Sequence, residues 1–142
     1  MTYLLDTNVI SELVSPQPNP NVIDWIEGVA PERVFLSVIT MGELRRGIEK
    51  LRDSRRKSKL SEWLTAELLV RFADQILPID VDVALTWGEL VASAAKIGKP
   101  IPAIDSLIAA TAVSGGLKLA TRNMQDFRAA GVALLNPWES PD

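Results

Sequence analysis

The sequence predicts an α/β domain with a mainly parallel central sheet between helical layers, and three observations carry that prediction. Short β-prone apolar runs alternate with helix-periodic segments from end to end. Two of those runs, Thr2–Leu5 and Leu117–Thr121, lead straight into polar clusters, Asp6-Thr7-Asn8 and Thr121-Arg122-Asn123. The segment 102–114 is so uniformly apolar that a helix there is buried on most sides. In open sheets of this class, sites collect at the carboxyl ends of strands, near the point where strand order reverses.

Thr2-Tyr3-Leu4-Leu5 is the opening strand, and Val9, Ile10, Leu13 and Val14 then recur at helical spacing until the run Ser15-Pro16-Gln17-Pro18-Asn19-Pro20 interrupts. A second short helix carries Val22, Ile23, Trp25 and Ile26, and Val34-Phe35-Leu36 is the next strand. From Ser37 a helical stripe of Val38, Met41, Leu44, Ile48 and Leu51 runs into a basic stretch, Arg45 to Lys59. A helix over roughly 58–75 carries Leu60, Leu64, Leu68 and Phe72, and Ile76-Leu77-Pro78-Ile79 is a strand-like link. Asp80 or Asp82 caps a helix through Val83, Leu85, Trp87, Leu90, Val91 and Ala94, stopped by Gly98-Lys99-Pro100. Pro102 suits the first turn of the apolar helix and Gly115-Gly116 its end. Leu117–Thr121 is a strand, Met124–Ala130 a short helix ended by Gly131, and Val132–Leu135 a last strand before a polar tail.

Composition narrows the chemistry. At 142 residues, 47% hydrophobic and 23% charged, the chain fits one domain, 1–142. Fifteen Lys and Arg against eighteen Asp and Glu leave a net charge of −3, so affinity for nucleic acid must come from a local basic patch or a metal ion. With no cysteine and no histidine, thiol and imidazole chemistry are excluded, and catalysis must run on carboxylates, hydroxyls, amides or cations. The start Met1-Thr2-Tyr3-Leu4-Leu5-Asp6 lacks the basic and long apolar regions of a secretory signal, and no later stretch approaches 18 apolar residues, so a soluble cytoplasmic protein without a membrane partner is expected.

Four acids are candidate site residues. Asp6 ends the first strand, where it either caps the following helix or faces a cleft at the sheet edge. Glu43 completes a Thr40-x-x-Glu43 capping box, unless Ser37 is the cap, in which case Glu43 sits nearly two turns into the helix and satisfies no backbone donor. Asp105 is the one acid in Ile101–Val113, where an ionised carboxylate on a buried face is costly unless paired, neutralised or metal-bound. Asp126 follows the strand Leu117–Thr121, with a role in the site or as ordinary compensation of a helix dipole. Carboxylates converging at one sheet edge need a cation, and an all-oxygen cluster selects a hard ion, Mg²⁺ or Mn²⁺. Such an ion supports metal-assisted phosphoryl transfer, and the basic stretch 45–59 could hold a polyanionic backbone.

At these residues the chain resembles the PIN-domain ribonucleases, in particular the VapC-type toxins of toxin–antitoxin modules. The resemblance rests on Leu4-Leu5-Asp6-Thr7-Asn8-Val9-Ile10-Ser11-Glu12, on Ser37-Val38-Ile39-Thr40-Met41-Gly42-Glu43-Leu44 with Gly47, on Ile104-Asp105, and on Ala120-Thr121-Arg122-Asn123 with Asp126-Phe127. It implies a three-layer α/β/α fold and a metal-dependent endoribonuclease in which Mg²⁺ or Mn²⁺ activates the attacking water. It also implies metal-site roles for Asp6, Glu43 and Asp105, with Thr7, Asn8, Ser37 and Thr121 as pocket neighbours. Many relatives carry an acid where this chain has Asn123, so the fourth acidic role falls to Asp126 or is partly lost. Implied partners are an RNA substrate, a small antitoxin protein, a second copy in a homodimer, and operator DNA reached only through the antitoxin. Two alternatives stand beside this reading. One is a PIN-like scaffold that binds RNA or protein without a metal. The other is a haloacid dehalogenase-type phosphohydrolase, against which Asn8 stands where that chemistry needs an acid.

Overall fold

The computed structural model describes residues 1–139. The last three residues of the expected polar tail therefore lie outside the described residues. Five strands, β1 (Tyr3–Leu5), β2 (Val34–Ser37), β3 (Ile76–Leu77), β4 (Lys118–Ala120) and β5 (Leu134–Leu135), form one sheet in the order β3-β2-β1-β4-β5. All four pairings are parallel. The order runs outward from β1 to β3 on one side and then restarts with β4 on the other, so strand order reverses between β1 and β4. That is the place where an open parallel sheet leaves a crevice beyond its strand ends.

Side chains alternate across a strand, and here the alternation divides the interior into two cores. Leu5, Leu36 and Ala120 face one core, with Val9 and Ile10 of α1 (Thr7–Leu13), Val22 of α2 (Pro20–Glu27), and Leu44 and Ile48 of α3 (Val38–Glu49). Leu4 and Leu119 face the other, with Leu90 of α6 (Val81–Lys96), Ile108, Ala109 and Ala112 of α7 (Ala103–Gly115), and Phe127 of α8 (Met124–Phe127). Neighbours in sequence, such as Leu4 and Leu5, thus anchor opposite helical layers, both fully buried. The three-layer α/β/α architecture expected from the alternating pattern is the one observed.

Several boundaries differ from the sequence expectation for local physical reasons. The helix placed at 58–75 starts earlier, as α4 (Arg55–Glu62), because Ser54 accepts the backbone N–H of Lys57 as its cap. It ends earlier, in α5 (Leu69–Arg71), and between the two lies a π-helical stretch, Trp63–Leu68. Leu60, Leu64, Leu68 and Phe72 repeat every four residues, which overshoots a 3.6-residue turn by about 40° per step. The wider π turn takes back that drift and keeps Leu64, Leu68 and Phe72 on the buried side. Pro102 lies just outside α7, in the cap position, and α8 continues as a 3-10 turn, Arg128–Ala130, up to Gly131. Asp80 rather than Asp82 caps α6, accepting from the N–H of Val83 at 2.9 Å.

Among the described residues, no helix is long and apolar enough to cross a membrane. The two ion pairs found there, Arg45–Glu49 and Lys57–Asp53, are i,i+4 contacts within the basic stretch and contribute little to stability.

Two glycines separate backbone from packing effects. Gly116 ends α7 at φ +65°, in open space, whereas Gly47 lies inside α3, also with nothing near a built Cβ. Gly116→Ala should lower stability by about 1–2 kcal/mol through the left-handed backbone alone. Gly47→Ala should raise it by up to about 1 kcal/mol through helix propensity. Urea midpoints with unchanged slopes check both, and equal effects at the two positions would contradict this account.

Candidate active site

The reversal of strand order puts the ends of β1 and β4 side by side, and Asp6 is the first residue past β1. Its backbone N–H stays in the ladder, donating to Ala120 at 2.9 Å. Its carboxylate combines both roles that the sequence left open. Oδ1 accepts the Thr7 N–H at 2.8 Å and caps α1, while Oδ2 accepts the hydroxyl of Thr121, just beyond β4, at 2.7 Å. The Thr121 oxygen in turn accepts from the Asn8 amide at 3.3 Å and from the Asn123 N–H at 3.0 Å. One buried hydroxyl therefore ties the first acid, the first helix and the β4 loop together.

Ser37 caps α3, accepting the Ile39 N–H at 3.0 Å, so Thr40-x-x-Glu43 is not the capping box. Glu43 lies on the second turn and accepts from the hydroxyl of Thr7 at 2.5 Å. The Thr7 and Thr40 hydroxyls are 3.1 Å apart. Asp105 sits in the first turn of α7, half-buried, and accepts no hydrogen bond from another described residue. A cleft of about 430 Å³ is lined by Asp6, Thr7, Asn8, Ser11, Glu12, Glu43, Asp105, Arg122, Asn123 and Trp138.

Most of the expected site residues thus meet in one cleft, but three do not line it. Ser37 is fully buried beneath α3 with its hydroxyl spent on the cap, which corrects its expected place as a pocket neighbour. Thr121, also fully buried, reaches the cleft only through Asp6. Asp126 lines a separate cavity with Ile97, Lys99, Pro102 and Arg128. Asn123 lines the acid cleft, and Asp126 is not among the residues that line it. Asp126 still acts at a distance, because its charge raises the proton affinity of both Asp6 and Asp105.

Ser11, Glu12, Arg122 and Trp138 were not expected in the site. Asn8, Ser11 and Glu12 share one face of α1 at i, i+3 and i+4, a periodicity that could have exposed them once Asn8 was placed in the pocket. Trp138 carries no such signal, since it lies in a loop after β5.

Electrostatics fit a cation site. Asp6, 4% exposed, has its pKa raised mainly by burial, opposed by its bonds from Thr121 and Thr7 and reinforced by the charges of Glu43 and Asp126. Asp105 is pushed up to about 6 by burial first and then by the charges of Asp6, Asp126 and Glu43. Like charges gathered in a partly desolvated cleft raise one another in this way, and a bound cation relieves them. Among the described residues, however, no three acids stand close enough to hold one ion between them, so the expected triad of Asp6, Glu43 and Asp105 is not a closed cage. Mg²⁺ characteristically keeps several waters and takes one or two carboxylates directly, so an open set of hard oxygen donors suits it.

A parallel α/β/α domain with an acid-lined cleft at its strand-order reversal defines a class of protein suited to divalent-ion chemistry on an anionic substrate. The chain belongs to the PIN domain family, whose model matches residues 3–132. It is similar to toxin FitB of Neisseria gonorrhoeae, 46% identical over 95% of this chain and 97% of that protein. It is also similar to VapC ribonuclease Y4jK of Sinorhizobium fredii, 41% identical over 96% of this chain and 97% of its relative. The solved structure of FitAB bound to an IR36 DNA fragment superimposes with a TM-score of 0.94, at 42% identity and 99% coverage of both chains.

The raised carboxyls set the sign of a pH effect. Between the ordinary value of 3.8 and about 6, the folded chain holds a proton on Asp105 that the unfolded chain has released. This contribution to stability is complete below that window and is lost as pH rises through it. In metal-free protein, Asp105→Asn should therefore raise the melting temperature at pH 7 by about 3 °C, from roughly 1 kcal/mol after allowance for solvent screening. At pH 3.5 the gain should vanish, and a gain of the same size at both pH values would contradict a charge origin.

Proposed function

We propose that the chain is a metal-dependent endoribonuclease that acts as the toxin of a toxin–antitoxin module. The observation that carries this reading is the juxtaposition of Asp6, Glu43 and Asp105 in one open cleft of a PIN domain. The similarity to a named toxin and a named VapC ribonuclease over nearly the whole chain supports it. One or two of Asp6, Glu43 and Asp105 would hold Mg²⁺ or Mn²⁺ directly and the rest through its waters, with Asn123 offering a neutral oxygen where a fourth acid is absent. The ion supplies Lewis-acid activation of water and neutralises charge on the phosphodiester.

The chain's own residues do the rest. Thr121 and the Thr7 N–H fix both oxygens of Asp6, and the Thr7 hydroxyl fixes Glu43, so two acids are oriented before any substrate arrives. Asp105 accepts no hydrogen bond from another described residue, so its carboxylate is the one left free to hold or move a proton in the cleft. The Asn8 amide donates to Thr121 and its side chain has no acidic proton, which disfavours the phosphohydrolase alternative. Asn123 is the feature that favours a metal-free binding scaffold as the second reading.

A homodimer inhibited by a small antitoxin, with operator DNA bound through that antitoxin, completes the proposal, and a cytoplasmic setting accords with it. The related FitAB assembly solved on DNA supports the partner and DNA assignments. Val81 at 73%, Leu85 at 63% and Ile97 at 62% exposure leave apolar surface on and beside α6 that a second copy would cover.

Purified chain free of antitoxin should cut total RNA at discrete positions with Mg²⁺ or Mn²⁺ and stop on addition of EDTA. Asp6→Asn and Asp105→Asn should each lower cleavage on the order of 100-fold or more, the range for loss of one electrostatic contact to a transition state. Folded protein that binds RNA and never cuts it would select the scaffold reading. Full activity in either variant would remove that acid from the mechanism.

A further inference from the structure

Among the described residues, Arg122 is the one cation lining the acid cleft, and its surroundings are unusual for a guanidinium among four carboxylates. Among the described residues it forms no ion pair, and no side-chain hydrogen bond from its guanidinium is found. Instead it lies over the indole of Trp138, 5.4 Å from the ring centroid, within the range of cation–π attraction. Arg122 follows β4 and Trp138 follows β5, and these strands are paired, so the contact spans adjacent strand ends.

Trp138 is a fixed platform rather than a loose tail. Its N–H donates to the Asn136 side chain at 2.9 Å, and its carbonyl accepts from the Asn21 amide at 2.8 Å. The half-buried ring packs against the core that contains Leu5 and Val9. Stacking orients a planar guanidinium and leaves its edge donors unspent, the arrangement suited to two-point contact with phosphate oxygens.

We propose that Arg122 binds a backbone phosphate of the RNA beside the scissile one, and that Trp138 is a positioning residue that holds it there. This rests on the ribonuclease reading of the cleft. A chain of net charge −3 with Asp6, Glu12, Glu43 and Asp105 around its site repels a polyanion, and a metal ion answers that repulsion only at the scissile phosphate. Arg122 supplies the attraction next to it. Its stacking on Trp138 also keeps it off the neighbouring carboxylates, which would otherwise cancel its charge and draw the acids from the ion.

The test measures binding and turnover separately. Binding of a fluorescein-labelled single-stranded RNA of mixed sequence is followed by anisotropy in an Asp105→Asn background, across a salt series. Arg122→Ala should weaken binding roughly tenfold and flatten the slope of log affinity against log salt by about 0.7, one phosphate contact to a single strand. Trp138→Leu should give the same change in slope, Trp138→Phe should restore it, and the loss should not add to that of Arg122→Ala. In otherwise unmodified protein, Arg122→Ala should raise KM about tenfold with kcat within about twofold, the mark of uniform binding. Unchanged salt slope and KM in Arg122→Ala, in protein that cuts RNA, would overturn this inference and leave the ribonuclease reading intact. Arg122-dependent RNA binding by a chain that never cuts RNA would do the reverse. No RNA binding even at low salt would sink both.

Discussion

The carboxylate of Asp6 is held at both oxygens, by the Thr7 N–H and by the Thr121 hydroxyl, at the one place where strand order reverses. Almost every feature of the cleft hangs on that pair of bonds. Through Thr7 it reaches Glu43 on α3, and through Thr121 it reaches Asn8 on α1 and the backbone of Asn123 beyond β4. Burial alone would neutralise such an acid, and the two donors oppose that tendency by favouring its ionised form. The net pKa of Asp6 is still raised, so a cation nearby would favour its ionised form.

The scaffold must bear this cost, and the two-sided core is how it does so. Each central strand sends consecutive residues into different helical layers, so β1 is clamped from both faces by Leu4 and Leu5. A strand fixed in this way cannot shift to separate its terminal carboxylate from Glu43 or Asp105. The apolar α7 follows the same logic. Ile108, Ala109 and Ala112 bury one side, and Asp105 is left in the first turn, where the positive end of the helix favours a negative charge. Packing energy spread over two cores offsets electrostatic strain concentrated at one edge, as expected where function requires groups that disfavour the folded state.

How much of this was legible in the sequence depends on whether a feature is local. Asp6 after a β run, Ser37 before a helical stripe and Asp105 alone in an apolar helix each carry their own pattern, and the structure places all three on the expected elements. The α/β/α layering was equally readable, since strand and helix periods alternate along the chain. Ser37 shows the limit: it caps α3 as its position before the helical stripe suggests, but it is fully buried and does not line the cleft. Asp126 looked one helical turn from the site, yet the turn carries it to another cavity, and only its field reaches the acids. The π stretch was encoded in the four-residue repeat of Leu60, Leu64, Leu68 and Phe72, a period that suits no regular α-helix. Trp138 had no local signature at all, because its place depends on the pairing of β4 with β5 and on the Asn21 side chain of α2.

The surplus of negative charge in the cleft explains why the placement of Arg122 matters. A guanidinium free to bend toward Asp6 or Glu43 would relieve the same repulsion that makes the cleft attractive to a divalent ion, and the protein would then compete with its own metal. Stacking on a rigid indole resolves that conflict: Arg122 lines the cleft without neutralising it. Of the basic stretch 45–59, Arg56 lines a neighbouring groove together with Glu43, Ser11, Gly47 and Trp63. Because an exposed cation gains little from a screened carboxylate but releases condensed counterions when it binds a nucleic-acid phosphate, separation costs little before the substrate binds. The cleft therefore stays acidic enough to suit an ion, while its rim carries a cation that the proposed RNA contact would use.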